Sequence, residues 1–216
     1  MLYKVSIPSH SPEEPRRIPQ QARGEKRVAG LLQAAAAVIA DVGYEAATMS
    51  AIAERAGAPI GSLYQFFPNK QAITQALRTS YGRDYEQRLI ALQSDAKRLS
   101  LPALVERLIH LSVDFVESHP AFLALLDAPA STRSPSSLRA TLRERLAACL
   151  ASVHPRASRA KRTRLSTVTL QMLKGLNQLY AEAPAADRKQ YENEYKTALS
   201  CWLTVRLQNS HRGTGK

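Results

Sequence analysis

The sequence predicts an all-α protein, with a small three-helix head at its N-terminal end and a larger helical bundle after it. Three observations predict this. Apolar residues recur at helical spacing in one segment after another, and Pro, Gly and Ser break these segments at intervals of one helix length. There is also no succession of runs alternating β-branched with polar residues, which is the minimum signal for a sheet. A chain of 216 residues is long enough for a head and a body that each bury a core.

The elements follow in order. Residues 1–23 carry Pro8, Pro12, Pro15 and Pro19 among Ser, Gln and Arg and have no apolar periodicity. Little there could offset the entropy of ordering, so a flexible basic arm is expected. From Glu25, the residues Val28, Leu31, Leu32, Ala35, Val38 and Ile39 mark a helix, with Gly43 as its left-handed stop. A helix of about two turns opens at Thr48, whose hydroxyl can cap free N–H groups, and ends at Gly57. After the corner of Gly57, Ala58 and Pro59, residues Ile60 to Phe67 make a third helix, entered through a proline tolerated in a first turn. Two short helices joined by a glycine-containing turn make a helix-turn-helix, placed at 24–70. Asn69 then caps a long helix with the stripe Ile73, Ala76, Leu77, Tyr81, Tyr85 and Leu89, which links head to body. The body, 71–208, continues with helical runs at Leu101 to Ser118, Pro120 to Leu126, Leu138 to Val153, Lys161 to Ala181 and Asp187 to Leu207. Residues 209–216 read as a frayed tail.

Composition excludes several classes. The longest apolar runs, such as Leu31 to Ala40, are interrupted too soon to span a bilayer, and the first ten residues lack the pattern of a secretion signal. A cytoplasmic location is the expectation. Cys149 and Cys201 stand alone in helical patterns and read as two buried thiols, giving neither a disulfide framework nor a metal motif. There is no HExxH, GxSxG or phosphate-binding glycine loop, and the five histidines are scattered. No enzyme, cofactor or metal is therefore expected; His110, Asp114 and Glu117 share a helix face but read as part of a solvated polar stripe.

A net charge of +12 points to a polyanionic partner. Up to Tyr85 there are 10 basic and 7 acidic residues, which leaves 20 and 11 for the remainder, so most of the excess lies outside the head. The densest run, Arg156, Arg159, Lys161, Arg162 and Arg164, reads as a solvated helix start, with a second DNA contact as the alternative.

Residues 48–70 read TMSAIAERAGAPIGSLYQFFPNK, and 31–49 read LLQAAAAVIADVGYEAATM. Together they closely resemble the DNA-binding region of the tetracycline-repressor (TetR) family. The resemblance rests on Thr48, the Ile52-Ala53 pair, Gly57, Gly61, Leu63-Tyr64, Phe66-Phe67 and Asn69-Lys70; beyond it the chain matches only in its succession of helices.

Residue chemistry supports the same motif. Ile52, Leu63 and Phe67 are placed to bury against the first helix and fix the angle of the third. The third helix would then present Pro59, Ile60, Gly61 and Ser62 to base edges in the major groove. Ser62 can hydrogen-bond a base or a phosphate, Ile60 offers only apolar contact, and Gly61 permits close approach. Thr48, Tyr64 and Lys70 match family positions that grip phosphates. Two positions depart from the family pattern. Pro59 replaces a capping Ser or Thr, and Phe66 stands where Tyr or His is frequent. Arg16, Arg17 and Arg23 of the arm either enter the minor groove or merely solubilise the chain.

For the body, the resemblance implies a homodimer through the last two helices, with Leu165, Met172, Leu176, Tyr195 and Trp202 at the interface. It also implies a small-molecule cavity, for which Phe115, Phe122, Leu126, Met172 and Tyr180 are the candidates. The expected function is a sequence-specific transcriptional regulator, a repressor released from an inverted-repeat operator in double-stranded DNA by an effector. The alternatives are a dimeric or architectural DNA-binding factor, or an activator, with no effector.

Overall fold

The computed structural model describes residues 20–127 and 135–208, with side chains from Arg23 to Leu125 and from Arg139 to Gln208. The arm expected at 1–23 lies outside the described residues as far as residue 19, and the tail lies wholly outside them. Among the described residues there are nine helices and no strand.

The first helix, α1 (Gln20–Ala46), starts earlier than its apolar stripe predicts, because QQARGEKR contains good helix formers that periodicity overlooks. The helix breaks at Gly43, whose φ of 78° breaks the α-helical path, and one further turn reaches Ala46. By length and composition α1 is apolar enough to cross a bilayer, contrary to the sequence reading, since its alanines raise the average over the whole helix. Its stripe of Leu31, Ala35, Val38 and Ile39 nevertheless belongs to the core of the head.

Helices α2 (Met49–Arg55) and α3 (Ile60–Phe66) bury Ile52, Ala53, Leu63 and Phe67 against that stripe. Helix α4 (Lys70–Ala96) is capped by the Asn69 side chain, which accepts from the Ala72 N–H at 2.8 Å. It spans about 40 Å at 1.5 Å per residue, long enough to serve two cores. Ile73 and Leu77 pack in the head, while Tyr85, Leu89 and Leu92 pack in the body. The boundary expected at residue 70 is thus the start of a shared helix.

Helix α5 (Leu101–Ser118) is capped by Ser100 and carries Pro102 in its first turn, which fixes its start where the sequence placed it. The short α6 (Phe122–Asp127) contributes Ala121, just before it, and Leu125 to the head core. Helices α7 (Pro135–Val153), α8 (Arg159–Glu182) and α9 (Ala185–Gln208) complete the body. There α4 packs along α7, α7 against α8, and α9 against both α5 and α8. Leu104, Leu108, Phe115, Leu146, Leu150, Leu173, Leu176, Leu199 and Leu203 form the core of the body. Inside it, Ser112 donates to Asn177 Oδ1 at 2.9 Å, satisfying two buried polar groups across α5 and α8.

Candidate nucleic-acid interface and body sites

The turn between α2 and α3 is built by backbone hydrogen bonds. The Gly57 N–H reaches the Glu54 carbonyl at 3.0 Å and the Ala58 N–H reaches the Ala53 carbonyl at 2.9 Å. This pair of bonds is the Schellman pattern, and it requires the residue after the cap to be left-handed; Gly57 has φ 57°. At the front of α2 the Thr48 hydroxyl accepts from the Ala51 N–H at 3.1 Å, which leaves its own O–H able to donate outward. The entry to α3 has no side-chain cap, because Pro59 occupies that position.

With Leu63 fully buried and Phe67 nearly so, the outward face of α3 is determined. Pro59, Gly61 and Gln65 are exposed, Ser62 is half-buried, and nothing lies within 4 Å of a Cβ built on Gly61. Ile60, Tyr64 and Phe66 are 42%, 50% and 39% exposed. Large apolar and aromatic side chains left exposed are few among the described residues. Three are these, on one seven-residue helix; Val168 and Val205 lie on the α8/α9 pair, and Val42 lies near the end of α1. Such grouping marks surfaces kept for contact.

Lys70 has partners that the sequence did not suggest. Its ammonium donates to the carbonyl oxygens of Tyr44 at 2.7 Å and Glu45 at 3.0 Å, and lies 4.4 Å from the centre of the Tyr44 ring. A cation is favoured at a helix C-terminus, where carbonyls lack intrahelical partners. Two of its three donors are therefore engaged in tying the end of α1 to the start of α4. The only sequence signal for this was Tyr44 directly after the Gly43 break. A solvent-exposed Arg55–Asp41 pair at 2.7 Å adds a second, weaker tie between α2 and α1.

The expected effector residues are not gathered into one cavity among the described residues. Phe115 is fully buried and closed in by the rings of Tyr85 and Phe122, each at 4.9 Å, and of His119 at 4.2 Å. Tyr180 belongs elsewhere: its phenol donates to Glu117 Oε1 at 2.6 Å, and Arg188 lies over its ring. Glu117 follows Phe115 by two residues, about 200° round α5, so Tyr180 and Phe122 meet different faces of that helix. The bond to Glu117, then burial, pushes the Tyr180 phenol up to about 12. Burial alone does the same to Tyr85, against a smaller opposing effect of Ser112. Met172 is half-buried beside the body core, and the side chain of Leu126 lies outside the described residues.

The expected dimer residues also divide. Leu176 is fully covered inside the protomer and Leu165 nearly so, which corrects their assignment to an interface: both belong to the body core. Met172, Tyr195 and Trp202 are half-exposed, and Val168 and Val205 join them on the outside of the α8/α9 pair. The two helices approach closely at Gly175, where a Cβ would stand 3.1 Å from the Tyr195 phenol oxygen. Of the two cysteines expected to be buried, Cys149 is, whereas Cys201 is exposed.

Comparison with known proteins gives a consistent result. Residues 31–77 match the family described as bacterial regulatory proteins, tetR family, and residues 100–203 match the tetracyclin repressor-like C-terminal domain. The HTH-type transcriptional repressor KstR of Mycolicibacterium smegmatis is 39% identical over 67 residues, a match that takes in only 31% of either chain. A TetR-family transcriptional regulator from Streptomyces coelicolor superposes with a TM-score of 0.63 at 24% identity, covering 84% of this chain and 99% of that one. The SmeT–triclosan complex does so with 0.60 at 19% identity, covering 82% and 91%.

Proposed function

Because the chain belongs to the tetR family of bacterial regulatory proteins, a family of DNA-binding transcriptional regulators, we infer that it represses transcription as a homodimer on an inverted-repeat operator and leaves that operator when a small molecule occupies its body. The observation that carries this reading is the outward face of α3. Seven residues, held by Leu63 and Phe67, leave Ile60, Ser62, Tyr64 and Phe66 without a covering element in the protomer. In such a motif the start of the second helix enters the major groove. Ile60 suits a thymine methyl, Ser62 a base edge or a phosphate, and Thr48 and Tyr64 the flanking phosphates.

Dimerisation through the outer face of α8 and α9 would set two such helices about one DNA turn apart. The exposed Val168 and Val205 and the half-exposed Met172, Tyr195 and Trp202 support that face. Release by a ligand is supported by α4, which begins at the Lys70 clamp in the head and carries Tyr85 into the body core. A ligand that separates the body helices would act on the same rod that positions α3. SmeT, bound to triclosan, shows that a protein of this fold can hold a small apolar molecule.

The test is selection of bound duplexes from a random pool by the purified protein, followed by titration of the selected sequence at two salt concentrations. Recovery of an inverted repeat with half-sites about one turn apart is expected. Binding that depends on salt but not on sequence would replace this reading with a nonspecific DNA-binding protein.

A further inference from the structure

The basic residues at the end of the body remote from the head are not absorbed by the function above. Residues 95–105 and 151–164 together carry seven Lys and Arg side chains and one carboxylate, Asp95. The fold brings these two stretches together. Helices α4 and α7 run parallel, joined by the Arg145–Glu86 pair at 2.9 Å and by the Cys149 thiol on the Leu89 carbonyl at 3.9 Å, so they end side by side at Ala96 and Val153. Ala96, at the end of α4, and Ala157, in the loop after α7, are both buried in the same core. This end lies the length of α4, about 40 Å, from the start of that helix in the head, out of reach of the duplex under α3.

The loop between α7 and α8 is held by its own hydrogen bonds. The Ala157 N–H donates to the His154 carbonyl at 3.2 Å, Ser158 accepts from the Lys161 N–H at 3.3 Å, and the Arg162 guanidinium turns back onto the carbonyls of Pro155 and Ala157. Arg156 and Arg159 stand out from it, and Lys97 and Arg98 from the end of α4. All four are exposed, and none is in an ion pair among the described residues. Arg159 is also the first residue of α8, where a cation opposes the macrodipole. Cations without acidic partners, one of them weakening its own helix, are complementary to an external polyanion. None of the large apolar side chains left exposed lies on these two segments. A membrane contact or a protein partner with a buried anchor needs such a side chain, whereas contact with DNA phosphates needs charge alone. We propose that the far end of the body is a second, sequence-independent DNA contact, in which Lys97, Arg98, Arg156 and Arg159 meet the phosphates of a duplex segment other than the one held by α3. A dimer seated on its operator then holds two stretches of DNA together. That bridging rests on the operator reading; the phosphate contact does not.

The measurement is titration of a labelled random-sequence duplex at several salt concentrations, read by fluorescence anisotropy, with two full-length proteins. One carries Gly61→Asp, which sets a carboxylate on the exposed face of α3 where nothing crowds a Cβ. The other adds Lys97→Gln/Arg98→Gln/Arg156→Gln/Arg159→Gln; circular dichroism and sedimentation check the fold and assembly of both. The Gly61→Asp protein should still bind the duplex. The four further changes should weaken that binding by about tenfold or more at low salt and make the salt dependence shallower by up to about 3.6 units, four phosphates at about 0.9 each. Equal affinity and slope in the two proteins would overturn the proposal, as would the absence of duplex binding by the Gly61→Asp protein. Cosedimentation with phosphatidylglycerol vesicles that the four changes abolish, with DNA binding untouched, would assign this end to a lipid surface and reject the DNA contact. On an immobilised duplex of the selected operator, the unaltered protein should capture a free labelled duplex, while the protein with only the four far-end changes should occupy the operator without capturing one. Capture by both proteins, or by neither, would overturn bridging through this end. The random-duplex titration needs no operator, so its outcome is independent of whether the duplex selection recovers an inverted repeat.

Discussion

The ammonium of Lys70 and the carbonyl oxygen of Tyr44 lie 2.7 Å apart, and this contact joins the last turn of α1 to the first residue of α4. The segment between them contains all of α2 and α3, so one side chain closes the loop that holds the DNA-facing helices. A lysine that the family resemblance leads one to expect on phosphate is, within the protomer, a structural clamp.

Lys70→Ala should lower the stability of the protein by about 1 kcal/mol, since its charged hydrogen bonds to the part-buried Tyr44 carbonyl and the exposed Glu45 carbonyl are lost. It should weaken binding to every DNA sequence alike, and the salt dependence should become shallower by about one unit if the ammonium also meets a phosphate. Denaturant unfolding and titrations at several salt concentrations separate the roles: a loss of stability with an unchanged slope leaves the clamp alone.

Tyr64→Phe and Ser62→Ala should differ in kind. Removing the phenol hydroxyl should weaken operator and random DNA by similar factors. The Ser62 change should alter preference at particular base pairs by about 1–3 kcal/mol each. Competition assays with single-base operator variants check this, and uniform weakening by the Ser62 change would place that hydroxyl on a phosphate.

Gly57→Ala should destabilise the head by about 1 kcal/mol, because its left-handed φ is strained for any residue with a Cβ even though the surrounding space is open. Thermal unfolding measures the loss, and an unchanged midpoint would mean that the turn relaxes away from its two backbone bonds.

Val205→Asp places a charge on the outer face of α9 at a side chain that is 55% exposed in the protomer. The fold of the protomer should survive while the dimer dissociates, which sedimentation at low micromolar concentration would show. A dimer of unchanged strength would move the interface to another face.

The buried phenol of Tyr85 gives a pH signature. Its pKa is pushed up to about 12 in the folded protein from an ordinary 10, so the unfolded chain loses this proton first. Its contribution to stability is full below pH 10 and is lost as pH rises to about 12. Tyr85→Phe should therefore flatten the alkaline limb of the stability curve over that window, as read by denaturant midpoints from pH 9 to 12.

Much of this was legible in the sequence where local chemistry decides the outcome. The apolar run from Leu101 to Ser118 coincides with α5, whose start Ser100 caps, and Gly57 marked the turn of the motif. Ile52, Leu63 and Phe67 were assigned to the core of the head by spacing alone, and they lie there. What failed were choices between equivalent faces and contacts distant in sequence. The resemblance implies that α8 faces a partner but periodicity cannot say with which apolar residues, and Leu176, expected at the interface, lies inward. Tyr180 was grouped with Phe115 as a large apolar side chain, but its hydroxyl sought Glu117, a partner 63 residues away. The Lys70 clamp reaches back 26 residues to a backbone carbonyl, which no side-chain motif announces.

Helix α6 lends Leu125 to the head core, and Arg78 of α4 donates to the carbonyl of that residue at 2.7 Å and 3.1 Å. The head therefore borrows part of its interior from a stretch of chain that comes after α5. A chimera that exchanges heads by cutting near residue 70 would set a foreign α6 against this α1, leaving a hole or a clash where Ala121 and Leu125 now sit. Readers of one operator can be transplanted onto the sensor of another only if Ala121 and the six residues of α6 travel with the head, or are redesigned to fit it.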